Sequence, residues 1–301
     1  MRKILLLMTA CCGFALAAQQ VTVKAHYQLL KGVESGIYHP VLSSDGSKLL
    51  FSGSNEKGLK LYDIADNVVT TITDAERAGF EPKVTNDGKV YYVRQNAEGV
   101  IKYRTAVCYD IADKSSSVLV ENERNVAPVA LLSRGGALLR GSMGLKSVGS
   151  RTPDSGIAVY TEGSKVIVNN NGAVAEYSPV ESYAGYLWAS LSPDGSKIAF
   201  FAAGKGIVVI DLKGNVLARL GNYEMPAWLN DGYLVAQNAT DDGHQFTSSQ
   251  IVLLKADGSW MKELTSKTSM TMQPTTAPEA GKVAYCTIDG NLFVMEIGIN
   301  E

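Results

Sequence analysis

The chain has 301 residues, of which 46% are hydrophobic and 19% charged, and its formal net charge is −2. That apolar content is enough for a sizeable buried core and excludes a disordered chain. The charge provides no basic surface, which argues against a nucleic acid or an anionic membrane as a partner.

The first 18 residues have the pattern of a signal peptide. Arg2 and Lys3 precede an apolar run over residues 4–16, and Ala15-Leu16-Ala17 forms a small-x-small cleavage site. The run is too short to span a bilayer, so we predict no transmembrane segment. We expect cleavage near Ala17 and a mature domain, residues 19–301, in the periplasm or cell envelope. As an alternative, Met8-Thr9-Ala10-Cys11 is a lipobox, which would leave an outer-membrane lipoprotein anchored at Cys11.

The next segments read as β-strands separated by turns. Residues 20–30 alternate apolar and polar side chains, which predicts a strand, but no hairpin partner lies beside it. The most regular stretch is residues 190–201, where Pro193-Asp194-Gly195 separates two strand-like runs. Proline fixes φ near −65° and glycine tolerates positive φ, so this triplet predicts a tight turn.

Copies of this hairpin recur along the chain. They begin near residues 38, 80, 126, 187, 224 and 272, at intervals typical of four-stranded propeller blades of about 40–50 residues. One interval is longer, and we attribute it to a Gly/Ser-rich insertion at 141–156. The sixth copy ends one strand short, and residues 20–30 would supply that strand. We therefore predict one all-β domain: a six-bladed β-propeller of four-stranded antiparallel blades whose ring is closed by the N-terminal strand.

The repeat also resembles a known family. Residues 191–200, Ile210-Asp211 and Leu264-Thr265 resemble the repeat of TolB-type β-propellers, over nearly all of the mature chain and most weakly in the third copy. This resemblance implies a bacterial envelope protein that acts by binding other proteins. Similar repeats form the gating propeller of prolyl-oligopeptidase-like enzymes, but no Gly-x-Ser-x-Gly nucleophile motif is present.

A candidate binding site follows from the repeat. In each copy, the residue before a landmark position, usually proline, enters the innermost strand from the connection between blades. These residues should surround one mouth of the central channel, and they differ chemically although the Asp-Gly turns stay alike: His39, Glu81, Ala127, Trp188, Met225 and Gln273. A structural role would require the same residue in each copy, whereas a binding role favours different residues at these positions. Trp188 would be the aromatic anchor, and a polar loop at 238–246 would add Asp242 and His244, whereas Trp228 is predicted to be core.

The remaining polar residues carry structural interpretations. Asp63, Asp110 and Asp211 end strands and should accept hydrogen bonds from turn N–H groups. His26, His39 and His244 are isolated in sequence, and Cys108 and Cys286 lack metal-ligand or redox spacing, so we predict buried free thiols.

These observations predict no catalytic, metal or cofactor site. We expect an exported, non-catalytic and monomeric scaffold that binds another envelope protein or a peptide. The alternative is a propeller that binds a glycan or small ligand, possibly a glycoside hydrolase with paired carboxylates.

Overall fold

The computed structural model describes residues 20–31, 36–98, 101–149 and 156–300. The predicted signal peptide and Cys11 lie outside these ranges. The regular secondary structure of the described residues is β-strand, apart from three single-turn 3-10 helices at Ser54–Glu56, Lys267–Ser269 and Pro278–Ala280. None of their helices has the length and apolar character needed to cross a bilayer.

The strands of the described residues form seven antiparallel sheets, which we call blades I to VII. The N-terminal strand is β1 (Gln20–Leu30). Blade I contains β2 (Tyr38–Leu42), β3 (Lys48–Ser52), β4 (Leu59–Asp63) and β5 (Val68–Thr73). Blade II contains β6 (Lys83–Val84), β7 (Lys89–Glu98), β8 (Ile101–Asp110) and β9 (Ser115–Glu123). Blade III contains β10 (Ala127–Leu131), β11 (Ala137–Gly141) and β12 (Gly144–Val148). Blade IV contains β13 (Ile157–Glu162), β14 (Lys165–Asn170) and β15 (Ala173–Tyr177).

The last three blades return to four strands. Blade V contains β16 (Tyr186–Leu191), β17 (Lys197–Ala202), β18 (Gly206–Asp211) and β19 (Val216–Gly221). Blade VI contains β20 (Glu224–Asn230), β21 (Tyr233–Asp241), β22 (Phe246–Lys255) and β23 (Met261–Glu263). Blade VII contains β24 (Thr271–Ala277), β25 (Lys282–Thr287) and β26 (Leu292–Asn300), with β1 paired to β26 as its outer strand.

The pairing of β1 with β26 confirms that residues 20–30 supply the outer strand of the last blade. The register runs antiparallel from Gln20 opposite Asn300 to Leu30 opposite Leu292. Val21 is buried against the last blade, and the His26 ring accepts or donates a 2.6 Å hydrogen bond with the Tyr285 hydroxyl. The two ends of the described chain therefore share one sheet.

The predicted number of blades is wrong, because the structure has seven sheets and not six. The stretch assigned to the third blade contains six strands, which divide into blades III and IV. The proposed insertion at 141–156 is partly β12, and the apolar segment after it is β13. Both new blades have three strands, so the long interval between landmarks reflects one additional blade of reduced size.

Hydrogen bonds show how the chain passes between the two short blades. The Ser133 N–H, in the β10–β11 turn, donates to the Ile157 carbonyl at 2.9 Å, which places the start of β13 beside that turn. At the other end of β13, the Gly163 carbonyl accepts from the Tyr186 N–H at 2.7 Å, beside the start of β16. Strand β13 therefore runs in the opposite direction to β10 and β16. Blade III lacks an outer fourth strand, and blade IV lacks a first strand.

The core lies between neighbouring blades. The second and third strands of each four-stranded blade are the most buried, because both of their faces pack on the adjacent sheets; in β17 and β18, Ile198, Phe200 and Val208 are fully buried. They pack against Val166 of blade IV, among other residues. Trp228 is 3% exposed and donates its indole N–H to the Ser190 carbonyl across blades VI and V, which confirms its predicted core position.

The Asp-Gly hairpin turns form as the sequence predicts. In blade V, Asp194 Oδ1 accepts from the Ser192 hydroxyl and the Ser196 N–H, and Gly195 has a φ of +72°. Blade I repeats these contacts around Asp45. The Asp231-Gly232 turn differs: Asn230 pairs directly with Tyr233, and the Gly232 N–H donates to the Asn230 side chain.

The structural interpretations of the other polar residues agree with the structure, except that Cys108 is not fully buried. Asp63, Asp110 and Asp211 each accept two backbone N–H bonds from the following turn. Cys108 and Cys286 are free thiols, but Cys108 is only half-buried. Burial raises the pKa of Cys286 to about 12, so it is protonated at neutral pH.

Candidate functional site at the entry end

The innermost strands define two ends of the molecule. We call the end where these strands begin the entry end, and the end with the turns between first and second strands the hairpin end. Five predicted site residues, His39, Glu81, Trp188, Met225 and Gln273, lie at or beside the beginnings of innermost strands and so belong to the entry end.

These five residues share an unusual backbone conformation. Their φ angles are all positive: 52° for His39, 46° for Glu81, 54° for Trp188, 52° for Met225 and 56° for Gln273. In blades I, V, VI and VII, the residue lies inside a shift of the strand register, which marks a β-bulge. A left-handed bulge residue is usually glycine, because a Cβ atom clashes there. The four bulge residues carry a side chain instead, and so does Glu81, which has a positive φ but lies before β6, where the pairing has no register shift.

Blade III does not follow this pattern. Ala127 pairs regularly with Arg140, and the register shift comes only after Pro128. Ala127, the sixth residue of the predicted set, therefore does not lie in a bulge like those of blades I, V, VI and VII. Blade IV contributes no equivalent residue, because it has no first strand.

A hydrogen-bonded network joins the site across blades VI, VII and I. The Gln237 side-chain oxygen accepts the Gln273 N–H at 2.9 Å, and the Gln273 side-chain oxygen accepts the His39 N–H at 2.8 Å. The Gln273 amide nitrogen lies 3.0 Å from His39 Nδ1, and the Cys286 thiol donates to the Gln273 oxygen at 3.1 Å. Of the predicted residues, His39 and Gln273 are thus in direct contact. Gln237 and Cys286 were missed, since neither is next to a landmark residue.

Burial sets the electrostatics of this network. Desolvation lowers the pKa of His39, although Glu56 and Glu81 oppose the shift, and the ring is therefore neutral at pH 7. Nearby, desolvation raises the pKa of Glu224, and the negative charge of Asp241 raises it further. A neutral His39 accepts a hydrogen bond at Nδ1 from the Gln273 amide, so the network is satisfied without a charged group.

The other three residues differ in exposure. Trp188 is half-buried, and its ring lies 5.4 Å from that of Phe201. Glu81 is exposed, and Met225 is half-buried. Beside Glu81, the Arg77 guanidinium lies over the Phe80 ring at 4.6 Å. The entry end therefore presents aromatic, carboxylate, thioether and amide groups in one zone.

The polar segment at 238–246 is not the long loop that the sequence suggested. Strands β21 and β22 remain paired out to Asp241 and Phe246, so only residues 242–245 form the turn. Asp242 accepts the N–H groups of His244 and Gln245, and these bonds lower the pKa of its carboxyl group. His244 is exposed. The interactions shown for Asp242 and His244 lie within their own turn. They do not join these two residues to the five left-handed residues described above.

A second long hairpin extends from the same end. In blade II, β7 and β8 pair over ten positions, from Lys89 opposite Asp110 to Glu98 opposite Ile101. The equivalent hairpin of blade I has only four paired positions. Two hairpins, in blades II and VI, thus project beyond the other blades. Their polar composition hid this extension from sequence reasoning.

The hairpin end contains a cavity that the sequence did not predict. Its volume is about 950 Å³, and it is lined by residues of blades I, II, III, V, VI and VII. Leu42, Val84, Leu131, Leu191 and Pro226 contribute apolar wall. The charged residues of the lining are Asp87, Arg134, Asp231 and Glu279. Within the described ranges, no group of three or more His, Cys, Asp and Glu side chains has the geometry to hold a metal ion.

Solved structures resemble this architecture. TolB from Acinetobacter baumannii is 17% identical, with a TM-score of 0.53 over 79% of this chain and 56% of that chain. A streptogramin B lyase structure is 13% identical, with a TM-score of 0.59 over 92% of this chain and 98% of the other. A chain in the mitotic checkpoint complex is 9% identical, with a TM-score of 0.59 over 91% and 94%. The fold is a β-propeller.

At these identities the likeness shows the fold alone, and it confirms the TolB-type resemblance at that level. The chain spans just over half of the length of the TolB chain. No protein-family model matches the sequence, and no curated protein is significantly similar to it. The blades of β-propellers surround a central channel.

Proposed function

We propose that this propeller is a non-catalytic scaffold that binds an envelope protein or a peptide through the entry-end mouth. The observation that carries the proposal is a set of five left-handed positions at the innermost strands, four of them in bulges, which carry large, dissimilar side chains. Glycine would remove a steric cost of about 1 kcal/mol at each position. Side chains kept at such positions are typical of recognition sites, where local strain is tolerated for function.

The composition of this mouth suits protein recognition. Trp188 is a half-buried aromatic residue supported by Phe201, and Glu81, His39 and Gln273 supply polar groups around the channel. Protein interfaces commonly centre on such an aromatic anchor with a polar rim. The proposal includes export by residues 1–18 and closure of the propeller through β1.

The test compares two double variants of equal chemistry. Trp188→Ala/Glu81→Ala removes the proposed anchor and a rim charge, whereas Trp260→Ala/Asp113→Ala removes an indole and a carboxylate from exposed turns at the hairpin end. Partners are first captured by cross-linking in the native cell envelope, and affinity for the purified partner is then measured. The entry-end pair should weaken binding by about 2 kcal/mol, or about 30-fold. Equal loss in both variants, or none in either, removes the entry end as the site.

Export is tested separately. N-terminal sequencing of the mature protein should find a chain beginning after Ala17. A lipid-modified N-terminus at Cys11 would identify the lipoprotein alternative, and an intact Met1 would contradict export. Glycan binding remains the rival function. A glycan array that is positive for the wild type and blank for the Trp188→Ala/Glu81→Ala variant would replace the scaffold proposal with it.

A further inference from the structure

The cavity at the hairpin end lies at the opposite mouth from the proposed partner site. Its volume of about 950 Å³ falls within the range of small-molecule pockets, which is roughly 300–1,000 Å³. The residues that line it come from six blades, because the first strands and first turns of those blades converge there. Such convergence gives a concave site held by rigid strands.

The wall and the rim of this cavity have different chemistry. Leu42, Val84, Leu191 and Pro226 make the wall apolar, and Leu131 is 37% exposed towards solvent although it lines the same space. The rim is acidic, since three carboxylates face one guanidinium, that of Arg134. An apolar body would therefore be stabilised by the wall, and a positive charge by the rim.

Two of the three rim carboxylates are oriented by neighbouring blades. Glu279 of blade VII accepts from the Ser44 hydroxyl of blade I at 2.8 Å and from the Asn86 amide of blade II at 2.9 Å, both through Oε1. Asp231 of blade VI accepts the Asp194 N–H of blade V at 2.8 Å through Oδ1. The third, Asp87, accepts from the Thr85 hydroxyl of its own blade. The bonds that orient Glu279 and Asp231 thus use one oxygen of each carboxylate.

Ser190 also lines the cavity, but its hydroxyl is shielded from solvent and therefore does not face the open volume. Its carbonyl accepts the indole N–H of Trp228. The cavity thus offers a ligand its apolar wall and its acidic rim.

We propose that the hairpin-end cavity binds a small amphipathic amine: an apolar body with a protonated amino group that meets Glu279 and Asp231 at the rim. Nothing in this proposal depends on the entry-end site, so the two can fail separately. The apolar part would lie against Leu191 and Leu131.

The probe is dansylcadaverine, which has an apolar fluorophore and a primary amine, and the control ligand is dansylamide, which lacks the amine. Dansyl fluorescence rises and shifts to the blue on entering an apolar site, so titration of the full chain gives both affinities. We expect the wild type to bind dansylcadaverine at least tenfold more tightly than dansylamide. Equal affinities, or no binding of either ligand, overturn the proposal.

Variants locate the binding. Asp231→Asn/Glu279→Gln should lower the affinity for dansylcadaverine about tenfold and leave that for dansylamide unchanged. The matched control, Asp66→Asn/Asp113→Asn, removes two exposed carboxylates that do not line the cavity. Leu131→Arg places a cation in the wall and should abolish amine binding without loss of the fold, because Leu131 is exposed. Wild-type affinity in both the rim variant and Leu131→Arg refutes the site.

Discussion

The pairing of β1 with β26 predicts that the N-terminal strand is required for a stable propeller. A chain that begins at Gly32 loses the ladder from Gln20 to Leu30 and exposes the edge of β26. It also loses the burial of Val21 and of the half-buried Leu29 and Leu30. At about 1–1.5 kcal/mol for each side chain, the loss is about 4 kcal/mol, a large share of the roughly 5–15 kcal/mol that stabilises a domain.

The assay is thermal unfolding together with light scattering. For a chain of this size, about 4 kcal/mol lowers Tm by about 7 °C, and the unpaired edge of β26 should cause association. A matched pair of substitutions in β1 tests the effect of side-chain burial while the strand keeps its full length. Val21→Ala changes a residue that is 8% exposed and should lower Tm, whereas Val23→Ala changes one that is 40% exposed and should not. A truncated chain that stays monomeric with an unchanged Tm would refute the pairing.

Four further predictions concern single side chains. Burial alone would raise the pKa of Asp194, but hydrogen bonds from Ser192 and Ser196 outweigh it and lower the pKa from 3.8 to about 2. The ionised carboxylate therefore stabilises the fold, on the order of 1 kcal/mol after solvent screening, above pH 3.8, and this stabilisation is lost as the pH falls towards 2. The stabilities of the wild type and Asp194→Asn should therefore converge near pH 2 in acid titrations. Because burial lowers the pKa of His39, this histidine is protonated at a higher pH in the unfolded chain than in the folded one. The stability of the wild type should therefore fall as the pH drops below 6.5, and that of His39→Gln should fall less. Trp228→Phe should cost about 1 kcal/mol through the lost bond to Ser190, but Trp260→Phe, at an exposed site, should change Tm little. At the left-handed, exposed position 81, Glu81→Gly should be more stable than Glu81→Ala by about 1 kcal/mol, the reverse of the usual order; the usual order would contradict the conformation.

The parts of the fold that were predictable are local. Pro193-Asp194-Gly195 fixes its turn through the backbone preferences of three adjacent residues, and the apolar residues that follow identify β17. The pairing of residues 20–30 with the last blade was predictable because a repeat with a missing strand requires a partner from elsewhere in the chain. Both arguments use only residue spacing.

The division of blades III and IV was not predictable in the same way. Strand β12 is exposed along almost its whole length and so has no apolar periodicity. Strand β13 does contain a buried run, Ala158-Val159-Tyr160, but no landmark residue precedes it, since blade IV has no first strand. The interval of 61 residues between Pro128 and Ala189 was the available signal. It fits one blade with an insertion and two short blades equally well.

The candidate sites also contain parts that the sequence predicted and parts that it did not. The five left-handed residues of the entry end were found because a landmark residue follows each of them. The extension of β21 and β22 was missed, because Thr240 and Asp241 are polar and their pairing depends on backbone register rather than on burial. The hairpin-end cavity was missed because Glu279, Asn86 and Ser44 meet only when the first and last blades are adjacent.

The five left-handed residues of the entry end link the stability of this propeller to its proposed function. Five left-handed residues with side chains cost about 5 kcal/mol together, which is comparable to the net stability of a domain. At Gln273 and His39, hydrogen bonds across blades VI, VII and I offset part of that cost. Glu81 is exposed, and its side chain has no contact in the described structure that explains why glycine is absent there. A repeat that keeps its turn residues nearly constant but varies these five positions, at an energetic cost, fits a surface whose side chains are retained for a partner rather than for the fold.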